Sequence, residues 1–134
     1  MTAIACQKAL EATFKADTAV KSALGNPARI FDAPVKLAAY PFAVWRRWET
    51  RSVDVSGVPT QEHIATLEVV CRQSGAEEAR KAVAALAACA TGPRPSASGA
   101  RIVLVLPLYS DVMRAVDGRT WLGIVRLKII AEAI

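Results

Sequence analysis

Between residues 60 and 90 the hydrophobic repeat of the chain changes period, and this change constrains the fold more than any other feature. In the stretch TQEHIATLEVVC, Ala65, Leu67, Val69 and Cys71 alternate with Ile64, Thr66, Glu68 and Val70. One face is wholly apolar and the other mixed, which predicts a strand with a single core-facing side. Ser74-Gly75-Ala76-Glu77 follows with capping-box spacing, in which a serine hydroxyl and a glutamate carboxylate satisfy each other's free backbone donors. Beyond it Ala79, Val83, Leu86 and Ala90 recur at helical spacing, a narrow stripe of small side chains suited to close packing on a sheet.

The rest of the chain reads around this unit. Cys6, Leu10 and Phe14 stand four apart and predict an opening helix. Thr18 can cap a short following turn carrying Val20 and Leu24, stopped by Gly25-Asn26-Pro27. RIFDAPV (29–35) predicts a short strand, and FAVWRRWETRSV (42–53), rich in aromatic and β-branched residues, a second. SGVPTQ (56–61) is a turn-rich connection. After a loop at 91–99, ARIVLVLPLY (100–109) is apolar on both faces. That fits a central strand, or one whose second face meets another subunit. Pro107 predicts that its far end leaves regular pairing. Asp117-Gly118 signals a hairpin turn. In the last segment Trp121, Val125, Leu127 and Ile129 share one face, with Arg126 and Lys128 on the other. The expected fold class is α+β, a single domain over residues 1–134. Its order is α-β-β-β-α-β-β, with a mostly antiparallel four- to five-stranded sheet and two main helices on one side.

Composition narrows the function. The chain is 53% hydrophobic and 22% charged, with a net charge of +5 and no basic run longer than Arg46-Arg47. This is globular and apolar enough to expect a buried subunit contact, without a basic stripe for a nucleic-acid groove. Cys6, Cys71 and Cys89 are odd in number and lack a CxxC pair, so reduced buried thiols are expected rather than disulfides or a zinc site. The amino-terminal segment lacks a basic n-region, and the longest apolar runs are too short to span a bilayer, so a soluble chain made in the cytosol is expected.

Residues capable of chemistry do not converge. The single histidine, His63, would have to serve any Ser-His-Asp or Cys-His site. Cys71 lies eight residues along the same strand, roughly 26 Å away at about 3.3 Å per residue, so the two cannot form a dyad. His63 is expected to be a polar strand-end residue. Glu77 and Glu78 are explained by the first helical turn. No phosphate-binding glycine motif is present, and no catalytic, cofactor or metal site is expected. Trp45, Arg46, Arg47 and Trp48 leave open an aromatic and basic nucleic-acid surface.

Several stretches in order carry a family likeness. They are LEATFKADTAVKSALG followed by RIFDAPV, then YPFAVW, then QEHIATLEVVCRQSGAEEARKAVAAL, and finally MRAVDGRTWLGIVRLKI. In this order the chain resembles the tail-terminator or tail-completion proteins of long-tailed phages and phage-derived gene transfer agents. The resemblance implies a structural virion protein at the tail neck, made in the host bacterial cytoplasm. It would form a ring, a homo-hexamer, that caps the tail tube, stops its polymerisation and docks the head-tail connector. DNA would pass transiently through the lumen, and no membrane is involved. Another neck, head-tail joining or minor tail protein is the alternative within that class. On this reading Thr66, Glu68, Arg126 and Lys128 are candidate lumen residues, and Ile102, Leu104, Leu106 and Leu108 are a candidate subunit interface.

Overall fold

The structure, a computed structural model, describes residues 2–33, 39–54, 57–72 and 76–134. Two helices open the chain, α1 (Ala3–Ala16) and α2 (Thr18–Leu24). They are followed by β1 (Ile30–Phe31), β2 (Phe42–Ser52) and β3 (Thr60–Cys71). Helix α3 (Ala76–Ala90) and the long hairpin of β4 (Ala100–Arg114) and β5 (Trp121–Ala133) complete it. The five strands form one sheet in the order β1-β2-β3-β5-β4. Every pairing is antiparallel except β1 with β2, so the α+β class holds and the sheet is mixed.

Local chemistry accounts for most boundaries. Asp17, not Thr18, caps α2: its carboxylate accepts the Val20 N–H at 3.1 Å, and Thr18 is the first helical residue. A carboxylate at this position also meets the positive end of the helix dipole. Strand β1 is confined to Ile30–Phe31, where it lies alongside Ala43 and Val44. Residues 34 and 35 of the expected strand lie outside the described residues, as do Ser56 of the connection and Ser74 of the expected capping box. The hairpin turn forms as expected. Asp117 accepts the N–H groups of Arg119 and Thr120, both at 2.9 Å, and Gly118 takes a positive φ of 74°.

The core lies between the helices and one face of the sheet. Leu67, Val69, Cys71, Val125, Leu127 and Ile129 point into it from the central strands, all fully buried. They meet Leu10, Phe14 and Leu24 of the first two helices and Leu86 of α3, each worth about 1.5–3 kcal/mol on burial. Gly123 lets α3 approach closely, since a Cβ there would stand 2.5 Å from Val83 Cγ2. On the β2 side, Trp45 packs against Phe14 and donates its indole N–H to Glu11 at 2.7 Å.

Two expectations about the last hairpin change. Strand β4 is not central: it is the edge of the sheet, paired only with β5. Nor does pairing stop at Pro107, because the ladder continues to Arg114 through a register shift between Pro107 and Tyr109. An edge strand beside a bulge is where a sheet tolerates proline.

Candidate assembly surface

The sheet face opposite the helices carries the candidate site. In β3 and β5 the alternation that buries Leu67 and Leu127 turns Glu62, Ile64, Thr66 and Glu68, with Ile124, Arg126, Lys128 and Ile130, to this open face. Thr66 is paired directly with Arg126, Ile64 with Lys128 and Glu68 with Ile124. Thr66, Glu68, Arg126 and Lys128 therefore stand together on one face. Thr66 is buried between Arg47 and Arg126 in the ladder, whereas Arg126 is exposed.

Most of the cations on this face have a carboxylate partner, and Arg51 and Lys128 share Glu62. Arg46 reaches Glu68 at 3.1 Å, Arg51 reaches Glu62 at 3.0 Å and Lys128 reaches Glu62 at 3.4 Å. Arg101 pairs with Glu132, and the Arg126 guanidinium lies 5.6 Å over the Tyr109 ring. Pairs this exposed contribute at most about 1 kcal/mol each to stability. They offset only part of its positive charge, since Arg46, Arg47, Arg51, Arg101, Arg126 and Lys128 outnumber Glu49, Glu62, Glu68 and Glu132 there.

Its border along β4 is different in kind. Among the described residues, six of the eleven large apolar side chains left exposed belong to β4: Val103, Leu104, Leu106, Leu108, Tyr109 and Met113. Scattered apolar residues on a surface are ordinary, but a contiguous row on one edge strand marks a contact site. Of the four expected interface residues, Ile102 does not belong to this row. It is 5% exposed and faces the helices, because a register shift between Ile102 and Leu104 breaks the simple alternation. Leu104 and Leu106 then sit opposite Ile130 and Lys128 on the open face, and Leu108 occupies the second shift. Two bulges and a proline interrupt the backbone of this edge, and Arg94 donates to the Val103 carbonyl at 3.1 Å. Contact through side chains is thereby favoured over addition of a continuous strand. The other edge is guarded: beyond β1, strand β2 exposes Arg47, Glu49 and Arg51, with Arg47 and Glu49 paired at 3.4 Å.

A nucleic-acid surface built from Trp45, Arg46, Arg47 and Trp48 is not assembled. A bulge between Trp45 and Arg47 sends both arginines to the open face, while Trp45 and Trp48 pack toward the helices. The indoles are consequently not available as a stacking platform for bases.

His63 stands near the start of β3 and does not face solvent. It is fully buried, and its two ring nitrogens are both engaged. Trp48 Nε1–H donates to Nδ1 at 3.1 Å, Thr50 Oγ1 lies 2.9 Å from the same nitrogen, and Nε2 is 2.7 Å from Thr2 Oγ1. Because an indole N–H can only donate, Nδ1 is the acceptor and the neutral ring carries its proton on Nε2. Burial lowers the His63 pKa from its usual 6.5. The thiols are equally quiet. Burial, reinforced by Glu78, pushes Cys71 up to about 12, and burial, reinforced by Asp17, takes Cys89 to about 11. A groove of about 690 Å³ between the helices is lined largely by alanines, and the Cys89 at its wall remains a thiol at neutral pH. Among the described residues no cluster of three His, Cys, Asp or Glu could hold a metal. No helix among them is long and apolar enough to cross a membrane.

Comparison with known proteins gives a fold match and a family. The chain of the solved structure "Virion of native gene transfer agent (GTA) particle" superposes with a TM-score of 0.86 at 19% identity, covering 98% of each chain. At that identity the likeness is one of fold. No curated protein matches the sequence. The family model described as "Tail completion protein gp17" matches residues 8–132, which takes in most of α1, all of α2, α3 and β1–β4, and β5 up to its penultimate residue. The chain therefore belongs to the tail completion protein gp17 family, with a structural role in phage tails.

Proposed function

We propose that this protein is a tail terminator, its 134 residues acting as one domain that closes into a homo-hexameric ring on the end of the tail tube. The ring stops tube polymerisation and presents its opposite side to the head-tail connector. Family membership supports the tail role, and the gene transfer agent virion with this fold supports a place in the particle. The observation that carries the ring is the apolar row on β4. A closed ring needs a heterologous contact between two different patches, and an exposed row of Leu104, Leu106 and Leu108 supplies the apolar half of one.

The open face, with Thr66, Glu68, Arg126 and Lys128, lines the lumen in this proposal. The open-face ion pairs named above offset part of the positive charge that would hold phosphates. DNA can then pass without being retained, whereas a run of unpaired cations would bind it with steep salt dependence. The protein is made in the host bacterial cytoplasm and acts in the virion.

Tube polymerisation in vitro tests this. Adding the protein to growing tubes of the tail-tube protein encoded in the same gene cluster should shorten them and leave ring density at one end in electron micrographs. Tubes of unchanged length with bare ends would contradict it.

A further inference from the structure

One end of the sheet gathers three arginines, Arg72, Arg114 and Arg119. Cys71, Trp121 and Arg114 lie at the same level of the ladder, so Arg72, Arg114 and the turn 115–120 project from that end together. The Arg72 guanidinium lies 5.2 Å over the Tyr40 ring, and Arg114 lies 5.1 Å over Trp121. Arg119 is exposed in the turn beside them. Among the described residues, the one carboxylate paired with any of them is Asp117, whose Oδ2 is 4.0 Å from Arg72. That carboxylate is occupied with the Arg119 and Thr120 N–H groups and the Thr120 hydroxyl. Among the described residues no carboxylate pairs with Arg114 or Arg119. At the opposite end Arg51 and Arg101 each have a glutamate partner.

The side chains here also have the composition of a protein contact. Stacking on an aromatic ring holds a guanidinium in place while leaving N–H groups to meet carboxylates; Arg72 already uses its Nε–H on Thr120 Oγ1 at 3.3 Å. Val116 stands fully exposed at the tip of the turn, with Tyr40 also exposed at this end. A convex tip with an apolar side chain, ringed by arginines, matches an apolar pocket with an acidic rim. Against a phosphate backbone Val116 would gain nothing, and Asp117 would repel.

We infer that this end of the sheet is a docking face for an acidic protein partner, with Val116 inserted in its pocket and Arg72, Arg114 and Arg119 meeting its carboxylates. The inference rests on the ring reading above, in which this end is one axial face. It marks that face as the one that meets the more acidic of the two neighbours, tail tube or connector.

The test uses the full chain with purified tail-tube protein and, separately, the connector protein from the same gene cluster. A short DNA duplex serves as a third probe. Arg119→Glu and Val116→Asp both lie in the exposed turn. Each should weaken binding to one of the two proteins by about tenfold or more, with ring mass unchanged and wild-type affinity falling as salt rises. Variants that bind both proteins as wild type does would overturn the inference. So would loss of duplex binding by Arg119→Glu with no effect of Val116→Asp on either protein, which would make this a DNA surface. A wild-type chain that forms no ring and binds neither protein removes the parent reading as well. A wild-type ring whose neighbours ignore the turn removes this inference alone.

Discussion

Trp48 donates its indole N–H to Nδ1 of His63 across 3.1 Å, and that single bond fixes which way the imidazole is protonated. The proton on Nε2 then goes to the Thr2 hydroxyl at 2.7 Å, and the Thr2 hydroxyl donates onward to Gln61 Oε1 at 2.8 Å. Thr2 holds the N-cap position of α1 but makes no side-chain cap; its hydroxyl ties the helix start to the sheet instead.

A hydrophobic replacement of His63 should therefore cost stability without touching any chemistry. His63→Leu leaves the half-buried Trp48 N–H without its acceptor and the buried Thr2 hydroxyl without its imidazole partner, at about 1–3 kcal/mol for a buried group left unsatisfied. Chemical denaturation would read this as a lower midpoint at unchanged slope. Function of the folded fraction should survive, and an essential imidazole would contradict this.

The same network gives a pH dependence. The folded pKa lies below the unfolded value of 6.5, so the unfolded chain binds the proton first as pH falls. The contribution is complete above 6.5 and is lost progressively as pH drops through the folded pKa. Thermal midpoints between pH 8 and 4 should fall in that acid range for wild type, with this component absent from His63→Leu.

Gly123 fixes the distance between α3 and the sheet. Gly123→Ala would bring a methyl group 2.5 Å from Val83 Cγ2 and 3.4 Å from Val69 Cβ. Overpacking of this kind costs about 1–3 kcal/mol, and Val83→Ala introduced alongside should recover part of it. A single variant as stable as wild type would contradict the close packing.

The three cysteines should be unreactive in the folded state. With Cys71 at about 12, Cys89 at about 11 and buried Cys6 also raised, little thiolate exists near neutrality. A disulfide-exchange reagent at pH 8 should modify the native protein slowly and the denatured protein at once. Fast reaction of Cys6 or Cys71 in the native state would contradict their burial, and fast reaction of the half-buried Cys89 would contradict its raised pKa.

How much of this was legible in the sequence follows from where each residue's partners lie. Strand β3, helix α3 and the apolar face of β5 are plain, because Leu67, Val69, Leu127 and Ile129 keep a strict period against a single helical layer. Strand β4 misleads. Apolar residues on both faces read as a central strand, while register shifts after Ile102 and Pro107 hide that the outer residues belong to an edge. The doubled charge at Arg46-Arg47 is likewise a bulge seen from the sequence. For the candidate site, the co-facing set Thr66, Glu68, Arg126 and Lys128 follows from alternation alone. The loss of Ile102 to the core does not, since a bulge leaves no mark in the period. His63 could not be placed because its partner Thr2 is 61 residues away in sequence.

The central claim is that the β4 row joins copies of this chain, and the solution mass by light scattering tests it most directly. Wild type, alone or on addition of tail-tube protein, should reach roughly six subunits. The double variant Leu104→Asp, Leu106→Asp should stay a folded monomer, since both side chains are exposed in the single chain. A wild-type protein that remains monomeric or dimeric with tube protein present, or a double variant that still forms the ring, would contradict the account.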